Sequence, residues 1–98
     1  VSALSTRLDD PGAIPYILWD DPMTVSELEE RLRTASEPER LRLVALILRE
    51  ARDADVWRFV TPEEVIRLWP RLAGRLGLRF AFWEFLLDRW KRLGLVEA

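Results

Sequence analysis

The chain contains no cysteine and no histidine, a single lysine at position 91, and only four glycines in 98 residues. Without cysteine there is no disulfide framework, no thiolate nucleophile and no cysteine-based zinc or iron–sulfur site. Without histidine the commonest general base is missing as well. The few glycines form no phosphate-binding loop, dinucleotide fingerprint or GxSxG nucleophile elbow. An enzyme built from this chain would have to rely on carboxylates, hydroxyls or Lys91, and the expectation is a non-enzyme that needs no cofactor and no metal.

Long apolar runs are also missing. The longest, LVALIL from Leu43 to Leu48, has six residues, against the roughly 20 a membrane span requires. The opening VSALSTRLDDPG has neither a hydrophobic signal core nor a basic leader. The expected location is cytoplasmic, without a membrane.

The apolar fraction of 49% beside 33% charged residues is that of a globular domain, far from the composition of disordered chains. Its length suits a single core and is too short for a two-domain cleft. Residues 1–12 are expected to form a flexible tail, and residues 13–98 one helical domain. The net charge is −2, unevenly spread: up to Glu64 there are 14 acids and 8 bases, and from Val65 onward 3 acids and 7 bases. The last third is therefore locally basic.

Helix starts recur. Thr24, Ser36 and Thr61 are each followed three residues later by Glu27, Glu39 and Glu64, the capping-box spacing in which hydroxyl and carboxylate satisfy free backbone N–H groups. Apolar periodicity then predicts helices over about Val25 to Ala35, Glu37 to Arg52, Pro62 to Leu76 and Arg79 to Leu93. The third contains Pro70, yet Val65, Leu68, Trp69, Leu72, Ala73 and Leu76 keep one phase across it, which predicts a kinked continuous helix with Pro70 facing solvent, with two shorter helices as the alternative. DADVWRFV, Asp53 to Val60, reads as a short helical turn with Asp55 as its cap. IPYILWDDP, flanked by Pro15 and Pro22, reads as an arm that packs Tyr16, Ile17 and Trp19 across the helices. The expected fold is all-α, a compact bundle of four main helices with a packed N-terminal arm.

Three patterns bear on function. Carboxylates pair at Asp9/Asp10, Asp20/Asp21, Glu29/Glu30 and Glu63/Glu64, but adjacent acids on a helix diverge by about 100° and do not converge on one ion. Only Asp20/Asp21, in a loop, escapes that argument, and its simpler reading is a pair of turn acids ahead of a helix. Arg67, Arg71 and Arg75 recur every four residues, a spacing that could follow phosphates along a nucleic acid, or simply supply the solvent face of an amphipathic helix.

The third pattern lies in RFAFWEFLLDRWKRLGLV. On a helical projection Phe80, Phe82, Trp83, Leu86, Leu87, Trp90 and Leu93 are expected inward. Phe85 instead falls among Glu84, Asp88, Arg89 and Arg92. An aromatic ring beside arginines on a solvent face has the composition of an interface hot spot, so Phe85, Arg89 and Arg92 are the expected protein contacts. Homodimerisation through the aromatic face is compatible with either the protein-contact or the nucleic-acid reading.

PYILWDDP, the LEERLR helix, LRLVALILREARD, VWRFVTPEEVIRLWPRL and FWEFLLDRW, in this order, resemble small bacterial proteins encoded beside nucleotidyltransferase-type toxins of abortive-infection or toxin–antitoxin systems. The resemblance spans roughly Ile14 to Val96 and rests on aromatic landmarks. It implies a non-catalytic, antitoxin-like protein partner of a nucleotidyltransferase encoded nearby. The alternative is a helical DNA-binding regulator that uses Arg67, Arg71 and Arg75.

Overall fold

Threonine and proline at the right places start the helices, and the computed structural model, which describes residues 4–18 and 22–94, shows how far that local logic carries. Among the described residues five helices follow in order: α1 (Val25–Thr34), α2 (Glu37–Glu50), the single turn α3 (Asp53–Val56), α4 (Pro62–Leu72) and α5 (Phe80–Arg92). A 3-10 turn at Tyr16–Leu18 precedes α1, and two more, at Ala73–Arg75 and Gly77–Arg79, lie between α4 and α5. The fold is an all-α globule with four main helices. No strand forms among the described residues, where the only extended pairing is an isolated parallel bridge between Ser5 and Pro15.

The three helix starts are capped in three different ways. At α1 the box is complete: Thr24 Oγ1 accepts from the Glu27 N–H and the Thr24 N–H donates to Glu27 Oε1, both at 3.1 Å. At α4, Thr61 Oγ1 accepts from the Glu64 N–H at 3.2 Å, but the Glu64 carboxylate turns away to bind Arg40, at 2.5 Å to Nε and 2.8 Å to Nη2. Ser36 makes no side-chain cap at all. The Glu39 that would complete its box binds Arg42 at 2.6 Å. A guanidinium offers two parallel charged donors where the box offers one neutral N–H, so the carboxylate follows the arginine.

α2 forms the centre. Leu41 and every residue from Leu43 to Leu48 are buried, so this helix is apolar nearly all round, as a helix surrounded by others must be. Val25, Leu28 and Leu32 bring α1 onto the core, and Val65, Leu68 and Leu72 bring α4. α4 passes through exposed Pro70 without stopping and ends at Leu72, where the chain tightens into a 3-10 turn. The expected continuation of α4 to Leu76 keeps the phase, since Leu76 is fully buried, while the hydrogen-bond pattern changes. Gly77 then adopts φ +55°, a left-handed conformation that costs a side-chain-bearing residue about 1–2 kcal/mol.

The N-terminal arm closes on itself and on α1. Ser5 N–H donates to the Ile14 carbonyl at 2.8 Å and Tyr16 N–H to that of Ser5 at 2.9 Å. Leu8 and Ile17 are buried. Val25 and Ser26 donate to the carbonyls of Ala13 and Pro11, at 2.8 and 3.0 Å. A helix leaves its first four N–H groups unpaired, and here the arm satisfies two of them. Tyr16 is locked by its hydroxyl, which donates to Asp55 Oδ2 at 2.6 Å and accepts from the Arg52 N–H at 2.8 Å. Asp55 is thus engaged by the arm, and Arg52 takes the N-cap position of α3 in place of the expected Asp55. Trp19, the other expected anchor of the arm, lies outside the described residues.

Candidate interaction face

α5 enters the core through two residues, Trp83 and Leu87, with Phe80, Leu86 and Trp90 half-buried beside them. The Trp83 indole N–H donates to the Leu48 carbonyl at 2.9 Å. Its ring meets Trp57 edge-on at 5.7 Å between centroids, and Trp90 meets Trp57 at a tilt at 5.2 Å. Phe80 stacks on Trp69 at 5.5 Å. Arg79 fixes the start of α5 by donating to the Ala51 carbonyl at 3.0 Å, an acceptor that the end of α2 leaves free.

This anchoring is one-sided, and it corrects the expected inward set. Phe82 remains 38% exposed and Leu93 61% exposed. Trp83 is drawn to Leu48 and Trp57, which sets the rotation of the helix, and residues on the far side of that axis face solvent. Phe85 is 63% exposed, in the outward position expected of it. Leu78, a residue that periodicity did not single out, is fully exposed at 102% in the 3-10 turn before α5. A signal for it exists, because Gly77 interrupts the helical phase just before it and frees Leu78 from both neighbouring stripes.

The outward residues form a pattern. Phe82, Phe85, Arg89 and Leu93 fall within an arc of about 80° on a helix with 3.6 residues per turn, and Leu78 precedes Phe82 by four residues. Arg89 and Lys91 make no side-chain ion pair or hydrogen bond among the described residues, whereas Arg92 pairs with Asp88 at 2.9 Å. Scattered single apolar residues are normal on any surface. Three on one helix face, Phe82, Phe85 and Leu93, with the unpaired Arg89 among them, form a patch.

The arginine row is less uniform than its spacing suggests. Arg67, Arg71 and Arg75 are all exposed, but Arg67 is held by Glu37 at 3.4 Å and Glu64 at 3.6 Å. Arg71 and Arg75 have no side-chain partner among the described residues. Nor does the row continue, since Arg79 turns inward over the rings of Phe82 and Trp83, at 5.2 and 5.5 Å.

An open cleft of about 240 Å³ lies elsewhere, lined by Glu29, Leu32, Arg33, Arg40, Arg58 and Phe59. It is smaller than the ~300 Å³ at which small-molecule sites begin. Its arginines are already neutralised, Arg33 by Glu30, Arg40 by Glu64 and Arg58 by Glu29. Among the described residues no group of three or more acids is placed to hold a metal ion. Asp20 and Asp21 lie outside those residues. No described helix is long and apolar enough to cross a membrane.

Comparison with protein-family models, with curated proteins and with solved structures finds no match to this chain.

Proposed function

We propose that the protein is a non-catalytic protein-binding module whose contact surface is the outward face of α5, with Phe85, Arg89 and Arg92 at its centre. The observation that carries this reading is the exposure of Phe85 beside Phe82 and Leu93 on a helix whose opposite face is fully committed to the core. An exposed ring flanked by the unpaired guanidinium of Arg89 and the Asp88-paired one of Arg92 has the chemistry that dominates protein interfaces. The partner implied by the resemblance is a nucleotidyltransferase encoded nearby, with this chain acting in an antitoxin-like role. Co-expression with the neighbouring genes tests it: recovery of a nucleotidyltransferase with the wild type, and its loss with Phe85→Ala at unchanged melting temperature, is the expected result. Recovery unaffected by Phe85→Ala would remove α5 from the interface.

The alternative, a DNA-binding regulator, draws its support from Arg71 and Arg75, whose side chains are unpaired among the described residues. Its test is retention on duplex DNA that falls steeply with salt and is lost on charge reversal of both arginines.

A further inference from the structure

Placed on one uninterrupted helix from Pro62 to Arg92, the residues that α4, α5 and the turn between them give to the core share a single face. Val65, Leu68, Leu72, Leu76, Trp83 and Leu87, all buried, fall within an arc of about 100° at 3.6 residues per turn. In the fold that helix is broken. The segment between α4 and α5 is 3-10, at Ala73–Arg75 and Gly77–Arg79, a tighter winding with poorer hydrogen-bond geometry. Its backbone is right-handed at Leu72, Ala73, Leu76, Arg79 and Phe80. Gly77, at φ +55°, is the one described residue of the segment with a positive φ. A change of handedness at this residue separates the bent chain from a straight helix.

The bend is what lets a single chain fill its own core. Straightened, the helix would carry Trp83 away from the Leu48 carbonyl, which accepts its indole N–H at 2.9 Å, and away from the Trp57 ring. Trp83 and Leu87 would then be bare, and the end of α2 would lose its cover. A second chain opened in the same way has the complementary gap, and each α5 fits the core of the other with the contacts it makes in its own. No new surface is needed for this exchange, only a different conformation of a short connection.

We infer that Gly77 is the hinge of a domain swap, across which two copies of this chain exchange α5 and close a two-fold dimer at about millimolar concentration. Leu76, buried on the α4 side, stays with its own core, and Arg79, which donates to the Ala51 carbonyl, crosses with α5. Glycine keeps the balance toward monomer, because it accepts the left-handed bend without a steric cost and is a poor residue within a straight helix. The exchange concerns the inward face of α5 and is independent of what its outward face binds.

Gly77→Ala tests it. No atom lies within 4 Å of a Cβ built at this position, so the substitution meets no clash and acts through backbone conformation alone. Alanine is disfavoured roughly ten-fold at a left-handed position and favoured over glycine roughly five-fold within a helix. With two hinges per dimer, the dissociation constant measured by sedimentation should fall on the order of 10³-fold, to about micromolar. Gly74→Ala, in the same segment but with no positive φ, acts on the unfolded chain rather than on either folded form and should leave the constant within about three-fold. Isotope-filtered NMR on labelled and unlabelled Gly77→Ala chains, unfolded and refolded together, should show contacts between Trp57 of one chain and Trp90 of the other, rings 5.2 Å apart in the fold. A Gly77→Ala variant that stays monomeric up to about 1 mM overturns the inference, as does a dimer without those inter-chain contacts or equal dimerisation of Gly74→Ala. If Gly77→Ala does not fold, wild type refolded at about 1 mM decides: a dimer with the Trp57 to Trp90 contacts supports the exchange, and a monomer, or a dimer lacking them, overturns it.

Discussion

The indole N–H of Trp83 donates to the Leu48 carbonyl at 2.9 Å across 35 residues of sequence, in a fully buried position. Leu48 lies in the last turn of α2, where carbonyls lack an intrahelical partner. One side chain thus fills the core, closes the end of the central helix and sets the rotation of α5. Trp83→Phe keeps most of the ring and removes the donor, leaving a buried carbonyl unpaired. The expected cost is about 1–3 kcal/mol in a denaturant titration, with loss of the near-ultraviolet dichroism of the Trp57–Trp83–Trp90 cluster. A change within 0.5 kcal/mol would mean that the hydrogen bond contributes nothing beyond packing.

Arg40 and Glu64 form a bidentate pair with side chains only 25% and 14% exposed, and Arg40 also donates to the Leu32 carbonyl at the end of α1. The Glu64 carboxylate and its hydrogen bonds hold the Arg40 guanidinium above its already high ordinary pKa. This pair ties α1, α2 and α4 together. Glu64→Gln should destabilise by about 1–3 kcal/mol, with little dependence on salt because the pair is sheltered. A double-mutant cycle on the exposed Arg67–Glu37 pair should give no more than about 0.5 kcal/mol. Equal coupling energies at the two sites would refute the distinction.

Tyr16 is the only tyrosine, and its phenol is pushed above its ordinary pKa of 10.0, first by burial and next by its hydrogen bond to Asp55. The folded state therefore favours the protonated phenol. Its contribution is complete below about pH 10 and declines as pH rises from there through the folded pKa. Tyrosinate difference absorbance should titrate later in folded than in unfolded protein. Tyr16→Phe should cost about 1 kcal/mol at neutral pH and flatten the alkaline fall in stability. An unchanged alkaline slope in that variant would assign the fall to other groups.

The capping geometry separates two residues that look equivalent in sequence. Thr24→Ala breaks a complete box and should cost about 1 kcal/mol, whereas Ser36→Ala removes no cap hydrogen bond and should be nearly neutral. Thermal melts of the two variants decide it. In the wild type the Thr24 backbone and side chain hold the Glu27 carboxyl below its ordinary 4.5. That linkage stabilises the fold above the unfolded pKa and is lost as pH falls through the folded one, so the Thr24→Ala penalty should shrink in acid.

Much of the fold was legible before any tertiary contact was known. Local rules decided it: the spacing of Val25, Leu28 and Leu32 defines a helical stripe whatever it packs on, Pro62 suits the first turn of α4, and Thr24 can reach only its own helix. The outward position of Phe85 was equally readable, because the polar neighbours that mark its side of α5 lie within a few residues of it.

What sequence alone determined, then, is the all-α class, the four main helices, their phases, and the absence of cysteine and histidine chemistry. Tertiary structure decided the destination of side chains with two competing partners. Glu64 left its cap for Arg40, 24 residues away, because two charged donors outweigh one backbone N–H. Phe82 and Leu93 stayed in solvent because Trp83 found Leu48 and Trp57, and a helix anchored from one side has only one rotation that satisfies its largest buried ring. Periodicity knows a helix's faces, but not how many of them a 98-residue core has partners to cover.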